Sequence, residues 1–221
     1  STGGGYFGKG VEMATIERSH SEYLTREARL TSAVASSDAV RLSRLQQLEA
    51  VFPTGEKGLG MALNSMLNAW TDLTSSPSNL TAREVVIARA DEFASRLRDS
   101  AGQLDLLRQT TQKQVESVAD SINRLALDLA SVNKRIVETT GGSHTPNDLL
   151  DQRDQVLKEL SQYVQISTVG ADDGSVSVFV AGSQPLVLGR NAARLAVVPD
   201  STDPTQPRIH FQQGNASMPL S

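Results

Sequence analysis

Thr145-Pro146-Asn147-Asp148-Leu149-Leu150-Asp151-Gln152-Arg153-Asp154 is the stretch on which the reading of this chain turns. Pro146 suits a first helical position, where its missing N–H costs nothing, and Asp148 puts negative charge in the first turn, where free amides favour it. With Thr145 ahead of them they mark a helix start. Leu149, Leu150, Val156, Leu157, Leu160, Tyr163 and Val164 then recur at helical spacing and give that helix one buried stripe. Upstream, Gly141-Gly142 ends a preceding helix in the manner of a C-cap. That helix carries a 4-3 repeat, Val115, Val118, Ile122, Leu125, Leu129, Val132 and Ile136, an apolar seam that asks for a partner helix at a shallow angle. The break is short, so the two helices are expected to lie antiparallel. Periodicity does not say whether the seam is an intramolecular bundle core, the simpler reading, or a contact with a neighbouring subunit.

Everything before this stretch reads as helix. Residues 1–10 are a Gly-rich lead containing Tyr6-Phe7, and Val11 and Met13 alternate with polar neighbours in a strand-like way. Ser19-x-x-Glu22 has the form of a capping box, which starts a helix running to about Val51. Pro53-Thr54-Gly55 stops it. Leu59, Ala62, Leu63, Met66, Leu67 and Trp70 define a short amphipathic helix, with the lone Trp70 read as a core anchor. Ser75-Ser76-Pro77-Ser78 breaks the chain, and Thr81-x-x-Glu84 looks like a second capping box. No proline falls between Pro77 and Pro146, and only Gly102 weakens that span, by about 1 kcal/mol in a helix interior.

After Val164 the hydrophobic period changes from 3.6 to 2. Gln165 to Val169 alternates, Ala171-Asp172-Asp173-Gly174 is a turn, and Val176, Val178 and Val180 alternate again, which is a hairpin. Leu186 to Leu188, Leu195 to Val198 and Ile209 to Phe211 are further strands. The expected division is an extended lead over 1–18, a helical bundle over 19–164 and a β-rich part over 165–221, too short to close a fold by itself. The expected class is α+β: an elongated, rod-like antiparallel helical bundle followed by a β-rich, sandwich- or barrel-like domain. With no initiating methionine and an abrupt stop at Met218-Pro219-Leu220-Ser221, the 221 residues read as an excised piece.

Composition narrows the chemistry. The chain is 38% hydrophobic but only 4% aromatic, so its core is aliphatic and alanine-rich. A net charge of −4, with Lys and Arg interspersed among Glu and Asp, argues against nucleic acid as a partner. There is no cysteine, so disulfides and thiolate metal sites are excluded. No apolar run approaches the roughly 20 residues that span a bilayer, and residues 1–10 have no signal-peptide pattern. Phosphate-loop, zinc-protease and nucleophile-elbow motifs do not occur. His20, His144 and His210 have no second ligand at metal-binding spacing, and no cofactor is indicated. Asp148, Asp151 and Asp154 share a helix face, but the first-turn position of Asp148 and the nearness of Arg153 and Lys158 point to capping and ion pairing rather than to a catalytic or cation site.

Several segments together carry a resemblance. Gly58-Leu59-Gly60-Met61-Ala62-Leu63-Asn64, Ala69-Trp70-Thr71-Asp72-Leu73-Thr74-Ser75-Ser76-Pro77-Ser78, Ile122-Asn123-Arg124-Leu125-Ala126 and Pro146 to Asp154 resemble, in order and spacing, the bacterial flagellar hook-associated protein 1 (FlgK) family. Gly8-Lys9-Gly10-Val11 and Gly182-Ser183-Gln184-Pro185-Leu186-Val187 resemble it too. The segments around Trp70 and Asn147 are specific; the heptads are shared with other axial proteins. The resemblance makes Trp70, Pro77, Pro146, Asn147, Asp148, Leu149, Leu150, Asp151, Gln152, Arg153 and Asp154 family-signature structural residues. It implies a non-enzymatic structural protein outside the cell, exported by the flagellar type III apparatus. It implies that the protein joins hook to filament, with the hook protein and hook-associated protein 3 on either side and self-association in a ring. The terminal helices that drive axial assembly in the family are missing, so this piece is expected to be monomeric. The alternatives are another axial component, hook-associated protein 3 or a flagellin, and, from a different class, a ligand-binding or enzymatic module on the β part.

Overall fold

The computed structural model describes residues 13–139, 147–200, 202–203, 206–214 and 216–220, with the side chains of 13–23 left out. Among the described residues four α-helices come first: α1 (Met13–Val51), α2 (Leu59–Ser75), α3 (Leu80–Thr139) and α4 (Asn147–Tyr163). Seven strands follow: β1 (Ile166–Gly170), β2 (Val176–Val180), β3 (Gln184–Leu188), β4 (Asn191–Ala192), β5 (Arg194–Pro199), β6 (Pro207–Gln213) and β7 (Ala216–Pro219). This is the α+β order expected from the change of period.

Two helix starts differ from the sequence reading. The first helix is already formed at Met13, so residues 13–18 are helical rather than an extended lead. The start of α3 is capped by Asn79, whose Oδ1 accepts the Ala82 N–H at 3.2 Å, and Thr81 lies inside the helix. Asn79 wins because its short amide reaches an orphan amide of the first turn directly. Arg83 secures the same corner by donating through Nε and Nη2 to the Pro77 carbonyl at 3.0 and 2.7 Å. Gly102 does not interrupt α3, which runs unbroken for 60 residues. The expected Gly141-Gly142 break lies outside the described residues.

The chain forms two compact units, Ser1–Ser37 with Val118–Ser221, and Asp38–Ser117. The first unit does not divide at residue 164, where the period changes. Its core joins Ile122, Leu125, Ala126 and Leu129 of α3 and Leu157 and Leu160 of α4 to Ile166, Val178, Val180, Leu186, Leu195 and Phe211 of the strands. The physical reason is that α3 and α4 each carry an apolar stripe and each sheet an apolar face, and one shared core buries all of them. Val132 and Ile136 pack with Leu149, while the earlier turns of α3 share a cluster with the later turns of α4, which is the expected antiparallel hairpin. The seam from Ile122 to Ile136 is thus an intramolecular core, whereas Val118 is 38% exposed.

The strands make two antiparallel sheets, ordered β1-β2-β3-β4 and β5-β6-β7. The β1–β2 turn holds as its sequence demands: Gly174 has φ +84, and Asp173 Oδ1 accepts the Ser175 N–H and hydroxyl at 2.9 and 2.6 Å. Leu186 and Val187 are both buried although adjacent, because the β2–β3 register shifts there and the extra residue turns inward. The two-residue β4 and the exposed β7 were too weakly patterned to read from sequence.

In the second unit, Gly58 sits where a Cβ would come 2.5 Å from the Pro53 carbonyl oxygen. Only glycine allows that approach. Arg96 fastens the same turn by donating to the carbonyls of Glu56 and Gly58 at 2.8 and 3.3 Å, and Ser100 donates to the Val51 carbonyl at 3.4 Å.

Candidate functional site

Among the described residues no group of three His, Asp or Glu is placed to hold a metal ion. No described helix is long and apolar enough to cross a membrane. What the first unit does contain is a junction in which helix side chains stand in for strand backbone. Asn133 is completely buried. Its Nδ2 donates to the carbonyls of Val176 and Gly189 at 2.8 and 2.6 Å, and its Oδ1 accepts the Val176 N–H at 3.1 Å. Asn123 does the same for the other sheet: Nδ2 donates to the Leu195 carbonyl at 2.8 Å and Oδ1 accepts the Leu195 N–H at 2.7 Å. Each amide satisfies strand groups that no neighbouring strand reaches, and so locks α3 to one sheet in one register.

The α4 stretch from Asn147 to Asp154 is split by burial. Asn147, Asp148, Asp151, Gln152 and Asp154 are exposed, Leu150 and Arg153 are half-buried, and Leu149 is buried. Asp148 lies in the first turn. Gln152 accepts from Arg135 Nη1 at 3.2 Å, tying α4 to α3. Arg153 donates to the Gly174 carbonyl at 3.3 Å, tying α4 to the β1–β2 turn. Asp154 pairs with Arg153 at 3.7 Å and, at 4.0 Å, with Arg29 of α1. Burial pulls the Arg29 guanidinium below its ordinary value, and Asp154 works against that shift. Pro146 lies outside the described residues.

The Trp70 segment belongs to the other unit. Trp70 is not a core anchor: its side chain is 59% exposed, and Ala62 and Ala69 are the buried positions of α2. Small residues take the inner face of α2, which leaves the indole outside. Trp70→Ala should therefore change the unfolding free energy by less than about 1 kcal/mol, as for other surface substitutions; thermal denaturation checks this, and a larger loss would mean the ring is covered.

One carboxylate of the first unit is tied down by its neighbours. Asp200, nine-tenths buried, accepts the Thr202 N–H and hydroxyl, each at 2.8 Å, and pairs with Arg208. The Thr202 amide first, then its hydroxyl and Arg208, hold the carboxyl below the usual aspartate value. Because the folded value is the lower one, the stabilisation is complete above the unfolded value and is lost as pH falls through the folded value. As pH falls below about 4, the ordinary aspartate value, wild-type protein should thus lose thermal stability more steeply than Asp200→Asn; parallel melting series check it.

Comparison with known proteins adds the deciding observation. The profile of the family described as "Flagellar hook-associated protein FlgK helical domain" matches residues 45–220, most of the chain. The chain belongs to that family. Flagellar hook-associated protein 1 of Escherichia coli strain K12 is 26% identical over 215 residues, 96% of this chain and 39% of that protein. The protein of the same name from Bacillus subtilis strain 168 is 26% identical over 195 residues, 84% of this chain and 38% of that one. The solved FlgK hook junction protein of Burkholderia pseudomallei matches with a TM-score of 0.78 at 26% identity, over 90% of this chain and 36% of that one. The chain therefore spans about two fifths of the FlgK relatives it matches. In this chain the segments around Trp70 and Asn147 divide between the two units, and Asn123, one of the two asparagines that dock α3 to a sheet, belongs to the Ile122 to Ala126 segment.

Proposed function

We propose that this chain is the helical and adjoining β part of a structural component of the bacterial flagellum, outside the cell at the junction of hook and filament. The observation that carries the reading is the family match over residues 45–220. The partners are the hook protein on one side and hook-associated protein 3 on the other, with the complete protein forming a ring after export by the flagellar type III apparatus. No reaction is assigned to it. The residues Trp70, Pro77 and Pro146 to Asp154 act as structural determinants of the family: α4 ties α1, α3 and the β1–β2 turn together, and Trp70 faces outward with Leu67 and Leu63 of the same helix, 50% and 37% exposed. Exposed large apolar side chains grouped on one element mark surfaces that another protein covers.

Deleting the gene in the source bacterium should leave hooks without filaments and flagellin free in the medium. Electron microscopy of the cells reads the outcome. Filaments of normal length in the deletion strain would overturn the reading.

A further inference from the structure

The first sheet leaves β1 at an edge, paired with β2 alone among the described residues. The Ala171 N–H donates to the Ser175 carbonyl at 2.9 Å at the hairpin end. In an antiparallel ladder the hydrogen-bonded pairs then fall at every second position, Val169 with Ser177 and Ser167 with Phe179. The N–H and C=O groups of Ile166, Thr168 and Gly170 are therefore directed away from β2. The strand carries neither charge nor proline, the usual devices that keep an edge from pairing.

A groove follows this edge. One part, of about 590 Å³, is lined by apolar side chains that include Leu30, Val164, Ile166, Phe179 and Leu220. The other, of about 330 Å³, is lined by Arg26, Arg29 and Arg153 together with Asp151 and Asp154. Arg26, Arg29 and Thr168 line both parts, so the groove is continuous. Three guanidinium groups face two carboxylates, and the one contact of Arg29 with Asp154, at 4.0 Å, is too long for a hydrogen bond. The Nε atoms of Arg29 and Arg153 are buried and make no hydrogen bond, the Arg153 Nε lying 3.7 Å from Asp154. The polar end thus has a surplus of positive charge and of donors, beside an open strand edge and an apolar floor.

We propose that an extended segment of another flagellar component adds to β1 as a further strand, with an acidic side chain against Arg26, Arg29 and Arg153 and apolar side chains against Leu30, Val164 and Leu220. Main-chain hydrogen bonds to Ile166, Thr168 and Gly170 hold it, and the guanidinium groups select its acidic residue. The flagellar source of the segment rests on the function proposed above; the chemistry of the groove does not.

Capped octapeptides of alternating valine and threonine, with glutamate at one end or the other, are the probe. One of them should bind this chain and shift the amide resonances of Ile166, Thr168 and Gly170. Changing its glutamate to glutamine should weaken it about tenfold, the scale of one charge-assisted hydrogen bond. Arg29→Gln should weaken the glutamate peptide alike and leave the glutamine peptide unchanged. N-methylation of alternate peptide amides should abolish binding without touching the protein. Absence of binding by both peptides, or binding indifferent to N-methylation, would overturn the proposal. So would a concentration-dependent dimer of this chain that occludes β1, which would give the edge to a second copy. Failure here while the deletion strain lacks filaments removes the groove and leaves the junction reading intact. Peptide binding with filaments present in that strain keeps the strand-addition site and removes its flagellar source.

Discussion

Asn133→Ala should destabilise the first unit by about 3 kcal/mol. The amide is wholly buried and makes three hydrogen bonds, two to Val176 and one to Gly189. Truncation leaves one N–H and two C=O groups facing an apolar helix, and each buried orphan costs about 1–3 kcal/mol before water or relaxation recovers part of it. For a unit of this size that amounts to a melting point lower by about 6–12 °C. Hydrogen exchange is the sharper readout, because the Val176 amide loses its acceptor and should exchange far faster while amides of the second unit are unaffected. Asn133→Asp discriminates further. Its carboxylate can still accept from Val176 but is set against the carbonyls of Val176 and Gly189, so it should be at least as damaging at neutral pH and less so in acid, where the protonated form donates. A loss below about 1 kcal/mol for Asn133→Ala would mean that water replaces the amide at no cost.

Phe211→Ala should cost about 3–5 kcal/mol, the range for removing a buried aromatic ring. Phe211 is 1% exposed, lies between Leu195 and Met218 in the β5-β6-β7 sheet, and joins the core that contains Leu129 and Leu160. The cavity cannot collapse easily, since α3 is held to β5 by Asn123. Urea denaturation followed by far-UV circular dichroism measures it, with Val169→Ala, 57% exposed, as the control expected to move little. If Phe211→Ala unfolds no more readily than that control, the second sheet does not share a core with α3.

The helices and most strands could be read directly. A 3.6-residue apolar period over Leu149 to Val164 and a 2-residue period over Val176 to Val180 are local properties, and both produced the expected element. The turn at Asp173-Gly174 followed from chemistry that is equally local. The misreadings share a cause. Thr81 and Asn79 are both acceptable caps, and only the path of the chain after Pro77 lets Asn79 reach Ala82. Trp70 has the period of a buried residue, but the neighbours that would bury it are not set by its own helix. Asn133 carries a legible signal: it sits three and four residues from Ile136, Ala130 and Leu129, on the apolar stripe of α3. A polar residue on such a stripe has to find a partner, although its spacing does not say which.

The sequence by itself determined the class of every long element, the order of helix before sheet, the antiparallel return of α4 on α3 and the family. Tertiary structure alone decided that α3, α4 and both sheets share one core, that Trp70 stays outside, and that one edge of the first sheet opens onto an arginine-lined groove. The physical reason is separation along the chain. Periodicity and capping act over a few residues, whereas Asn133 meets strand carbonyls 43 and 56 residues away, and Asn123 one 72 residues away. Contacts of that span depend on how complete surfaces pack, and local pattern records only that a surface exists.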